Sequence, residues 1–161
     1  MNEVHIHLLL NHFPIIGTLL CLLLLMAGFI FKNKTMRNSA LCGFVLMALI
    51  TIPAHYTGDG AQDAVKNLPG INKETIEEHE EAGDTALWLM IGLGAISLVG
   101  LFFRNHLKYA YPLQLFALVA AIGISVFMYQ VGYTGGLIRH PEISNAVPGN
   151  TNQKPGDQDG D

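Results

Sequence analysis

Charge is what this chain has least of. Only 14% of its 161 residues are Asp, Glu, Lys or Arg, against roughly 25% in soluble domains, so composition favours a membrane protein over a soluble one. Cysteine is scarce too. Cys21 and Cys42 lie inside apolar runs, with no Cys-x-x-Cys or Cys-x-x-Cys-His spacing, which argues against covalent haem attachment and a thiolate zinc site. We read both as small packing residues. The N-terminus Met1-Asn2-Glu3-Val4 has no basic stretch, and no small-x-small site follows Leu22 to Leu25, so the first apolar run is expected to stay as a span.

Catalytic motifs are missing as well. There is no phosphate loop, no G-x-S-x-G elbow and no H-E-x-x-H pair; His79-Glu80-Glu81 begins like the last, but Gly83 stands where its second ligand would be. Met26, Met36, Met47, Met90 and Met128 are scattered rather than gathered into a copper motif. The acids crowd one side of the chain, which gives nucleic-acid binding no support. None lies at mid-membrane depth in any apolar run, which argues against a coupled transporter.

What the chain does have is apolar length. Half of its residues are hydrophobic and its mean hydropathy is +0.35. A hydrocarbon core of about 30 Å needs about 20 helical residues. The continuous runs predict an all-α integral membrane four-helix bundle, up-down-up-down, over residues 1–143. Its spans fall at about 6–31, 39–57, 84–104 and 112–138, followed by a disordered acidic tail at 144–161. The apolar part of the second run is short and must continue through His55-Tyr56-Thr57-Gly58. The third helix is expected to begin two or three turns before its apolar part, capped by Asn72 after a Pro69-Gly70 break, with acids in its first turns.

The charges that remain are sorted by side. The two short hairpin loops carry five basic residues (Lys32, Lys34, Arg37, Arg104, Lys108) and no acid, while all thirteen acids fall on the other side. Basic short loops mark the cytoplasmic face. The expected location is therefore a bacterial inner membrane, multi-pass, with both termini periplasmic.

Six of the seven histidines gather on that outer side: His5, His7, His12, His55, His79 and His140, with only His106 opposite. One-sided clustering of imidazoles suggests a haem or metal site near one membrane face. His12 and His7 are five residues apart, about 140° around a helix, so they cannot serve one small ligand. Pro14 removes a helical hydrogen bond and predicts a kink that opens space beside His12. His12 would lie about 9 Å into the apolar run, where an ionisable residue is expected to face the interior with a partner. A neighbouring carbonyl could equally satisfy it. His79 sits among four glutamates, which either form a solvated face or orient the ring. His140 and Arg139 end the fourth run, a pairing that suits an axial ligand beside a haem propionate, or a lipid headgroup. His55, after Pro53, is the least constrained. Glycines near this end, Gly17, Gly58, Gly60, Gly83, Gly132, Gly135 and Gly136, fit close helix packing.

The chain also hints at duplication. Tyr56-Thr57-Gly58 ends the second run and Tyr133-Thr134-Gly135 the fourth, as in two hairpins related by an axis along the membrane normal. On that reading His12 and His79 are counterparts, and so are Asp63 and His140.

Four segments resemble a known family: His7-Leu8-Leu9-Leu10-Asn11-His12-Phe13-Pro14, Thr57-Gly58 with the acids after it, His79, and Gly135-Gly136-Leu137-Ile138-Arg139-His140. Over roughly residues 5–143 the chain resembles the small four-span bacterial membrane proteins of unknown function that are sometimes fused to c-type cytochrome domains. Pro141-Glu142 after His140 departs from a glycine expected in many of them. The resemblance implies a four-span fold and a redox association. The leading expectation is a membrane subunit that binds haem b through His12 with His79, or His12 with His140, with Arg139 at a propionate and His7 and His55 nearby. It would be an electron-transfer or accessory subunit more than a stand-alone enzyme, with a c-type cytochrome or respiratory-chain partner; its oligomeric state is left open. The alternative is a non-redox scaffold, binding a divalent metal through His12, His79 and His140 or nothing.

Overall fold

The computed structural model describes residues 3–66 and 73–139. They form five helices: α1 (Glu3–Leu10), α2 (His12–Ile30), α3 (Lys34–Val65), α4 (Lys73–Phe102) and α5 (Leu107–Arg139). The tail at 144–161, the Pro69-Gly70 break, the Asn72 cap and His140 lie outside the described residues. Four helical stretches are long and apolar enough to cross a membrane: Val4–Ile30, Lys34–Ala64, Lys73–Phe102 and Leu107–Ile138.

The predicted four-helix bundle is present. α1 and α2 make one span, interrupted at Asn11, three residues before the buried Pro14. Asn11 keeps right-handed helical dihedrals and its N–H reaches the His7 carbonyl at 2.9 Å, so the two segments continue one another. α2 packs on α3, α3 on α4, α4 on α5, and α5 back on α2, while α1 lies against α3; α3 and α5 meet only weakly across the diagonal. Leu25, Leu41, Phe44, Met90 and Leu93 fill the centre. Two buried polar side chains in the core are paired: Thr18 Oγ1 donates to Met90 Sδ at 3.6 Å, and Gln114 donates through Nε2 to Asn38 Oδ1 at 3.2 Å.

Small residues set how closely the helices approach. A Cβ on Gly94 of α4 would stand 2.6 Å from the Ala48 Cβ of α3, and Gly43 lies directly against Cys21. Cys21 is thus a packing residue.

Exposed aromatics ring the two ends. Tyr56, Trp88, Tyr129 and Tyr133 stand at the end that holds the histidines; Phe31, Phe102, Tyr109 and Tyr111 stand at the basic end. On α5 the rings of Tyr111 and Tyr129 are separated by about 27 Å of helix, close to the thickness of a hydrocarbon core. Beyond the histidine-end belt α3 and α4 go on packing against each other as a collar. Ala61 and Ile76 are buried there, and Gln62 Nε2 donates to Glu80 Oε2 at 2.8 Å.

Gly94→Ala should lower stability by about 1–3 kcal/mol, because Ala48 has no room to yield. Gly92→Ala, where an added Cβ meets nothing within 4 Å, should be neutral or slightly stabilising. Thermal unfolding of the two variants in one detergent measures both; equal effects would remove the packing argument.

Candidate histidine site

Two histidines meet at the collar, and they come from different hairpins. His7 on α1 and His79 on α4 stand with ring centroids 6.5 Å apart and planes at 80°. Each ring is seated on the Tyr-Thr-Gly segment of the helix that follows it. A Cβ on Gly58 would lie 3.2 Å from His7 Cε1, and one on Gly135 would lie 2.9 Å from His79 Cε1. A side chain at Gly135 would force the ring to shift, and one at Gly58 would press on it, so glycine lets each imidazole lie close against the backbone.

The hydrogen bonds fix the tautomers. His7 Nδ1 lies 2.9 Å from the Ala54 carbonyl, which can only accept, so His7 carries its proton on Nδ1. His79 Nδ1 lies 3.0 Å from Thr134 Oγ1. That hydroxyl gives its own proton to the Val131 carbonyl at 3.1 Å, so it accepts from His79 Nδ1–H. Thr57 stands in the corresponding place, its hydroxyl 2.8 Å from the Pro53 carbonyl and 3.1 Å from the Ala54 carbonyl. In neutral rings both Nε2 atoms are then left as bare lone pairs. Histidines that bind metals are commonly oriented in this way, with the other ring nitrogen donating to a carbonyl or hydroxyl. One turn beyond His7, Asn11 buries its Oδ1 with no hydrogen-bond partner among the described residues.

The other predicted residues fall elsewhere. His12 does not face the interior. It is exposed and its Nδ1 bonds to the Leu8 carbonyl of its own helix at 2.9 Å, so the expected pairing of His12 with His79 is replaced by His7 with His79. A ring five residues on is turned away once His7 faces α4. His55 is half-buried and points its Nε2 at Asp84, 3.4 Å away. The four glutamates that flank His79, at 77, 78, 80 and 81, are exposed, with Glu80 accepting from Gln62; the ring is oriented by Thr134 instead. Arg139 ends α5, and its side chain, like His140, lies outside the described part.

The chain matches no protein-family model, no curated protein and no solved structure. Its chemistry therefore has to be read from the site. No group of three or more His, Cys, Asp or Glu that could hold a metal ion occurs among the described residues. A tetrahedral site built from protein ligands alone needs more than this pair offers.

Sequence alone holds a signal for His7. The interval from His7 to His79 is closer to the Tyr56-to-Tyr133 interval than the one from His12 to His79 is. Nitrogen-15 NMR of labelled imidazoles should show the proton on Nδ1 in both rings at neutral pH, and a proton on Nε2 of either would contradict the network. Thr134→Val should release His79 from that tautomer and cost about 1–3 kcal/mol of stability.

Proposed function

We propose that the protein is a membrane redox subunit that binds haem b between His7 and His79 and passes electrons to or from a partner. One observation carries this reading: two imidazoles from separate hairpins, each locked as the Nδ1–H tautomer, leave a pair of Nε2 donors on rings 6.5 Å apart by centroid. The two Nε2 atoms would be the groups that hold the iron of such a cofactor. Two protein ligands suffice for an iron held in a macrocycle, whereas a bare divalent ion would ask for a third or fourth.

In this reading the haem supplies one-electron exchange near one membrane face. The rest is done by the chain. Ala54 and Thr134 hold the two rings through their Nδ1 atoms. Gly58 and Gly135 keep the rings against the helices. Arg139, one turn beyond Gly135 on α5, is proposed to neutralise a propionate. The basic loops at the other end support an orientation with the histidine end outside the cytoplasmic face of a bacterial inner membrane. The partner would be a c-type cytochrome or another respiratory-chain protein, as the family resemblance implies.

The visible spectrum of detergent-purified protein, expressed with haem supplied, tests the proposal. A Soret band that shifts on dithionite reduction is expected, lost in His7→Ala and in His79→Ala and kept in His12→Ala. A colourless, folded protein would overturn the redox reading and leave the scaffold. A band lost in His12→Ala but kept in His7→Ala would overturn the assignment of ligands.

A further inference from the structure

At the end remote from the His7 and His79 pair, an open cleft of about 350 Å³ lies between the start of α3 and the end of α4. Thr35, Asn38, Ser39 and Cys42 line it from one face of α3, and Leu101 and Arg104 close it from the other side. The polar part of this lining is rich in donors. Thr35 and Ser39 bring hydroxyls and Arg104 a guanidinium. Asn38, whose Oδ1 accepts from Gln114 Nε2, adds a side-chain amide to the lining.

No carboxylate lines the cleft, and Arg104 makes no ion pair among the described residues. Lys32, Lys34, Arg37 and Lys108 stand at the same end, where the sequence carries no acid. Such a lining selects an anion with several acceptor oxygens.

The position of the cleft says which anion. It opens at the level of the exposed Phe31, Phe102, Tyr109 and Tyr111, where headgroups meet hydrocarbon. Cys42 and Leu101 form its membrane-ward side, and one turn deeper Leu46 and Leu98 are exposed on the same two helices. A polar anion site that runs into an apolar strip matches a phosphate with acyl chains attached. We propose that this cleft binds the phosphodiester of an anionic phospholipid, with phosphate on Arg104, Ser39, Thr35 and Asn38 and an acyl chain along Leu46 and Leu98. The proposal is independent of any cofactor at the histidine end.

The test uses the full chain purified in neutral detergent, with phosphatidylglycerol, phosphatidylcholine and inorganic phosphate as probes and native mass spectrometry to count what stays bound. Phosphatidylglycerol should be retained in preference to phosphatidylcholine, and excess inorganic phosphate should not displace it. Arg104→Gln should weaken retention about tenfold. Lys108→Gln removes the same charge four residues on, at the start of α5 and outside the cleft, and should change retention by no more than about threefold. Arg104 is exposed, so its variant should keep the lipid-free unfolding temperature and show the loss as binding alone. Equal retention of the two lipids would overturn the proposal. So would equal effects of the two variants, which would mean only a diffuse basic field. Displacement by inorganic phosphate would also overturn it, and would identify a soluble anion as the ligand.

Discussion

Two acceptors, the Ala54 carbonyl and Thr134 Oγ1, decide what the histidine end can do. Each takes the Nδ1 proton of a ring contributed by another helix. Without them the imidazoles would be free to rotate or exchange tautomers, and no defined pair of nitrogens would exist. The glycines at 58 and 135 follow from the same constraint, since a ring can reach an acceptor on the helix only where no Cβ intervenes. The collar follows as well. α3 and α4 run past the aromatic belt to Val65 and from Lys73, so the rings are set on rigid helices rather than on loops.

The two halves of the molecule treat their histidines alike. In each, a ring from the first helix is seated on the Tyr-Thr-Gly of the second, and the threonine hydroxyl of that segment turns back to carbonyls of its own helix. At the far end Asn38 and Gln114, set 76 residues apart, bond across the diagonal. The opposite ends then diverge in chemistry. One presents nitrogen lone pairs, and the other presents cationic and neutral donors.

Much of this is legible in the sequence, and the part that is not has a physical cause. Apolar length and the sorting of charge point to four spans, and the Asp/Glu-rich start of α4 reads as helix because its acids suit a helix N-terminus. The shortness of the second apolar run requires extension through Gly58; α3 in fact goes on to Val65, because Ala61 finds a buried place in the collar. His79 is readable as a site residue, but depth and the proline favour His12 over His7 as its mate. Depth says nothing about rotation. Only one of two residues about 140° apart on a helix can face a given neighbour. Which one does depends on where α3 offers a glycine and an accepting carbonyl. Thr134, whose hydroxyl relays to Val131, could not be found without the fold. Nor could the cleft around Arg104, whose two sides come from separate hairpins and lie far apart in the chain.

Because His7 and His79 belong to different hairpins, neither half of the protein owns a two-point site. A separate hairpin offers one nitrogen, and the second arrives only when the halves close. Whatever engages both nitrogens is thermodynamically linked to that closure: its binding free energy counts toward the interface, and any loosening of the interface lowers its affinity. Occupancy at this end of the bundle is therefore also a measure of how firmly the two hairpins hold each other.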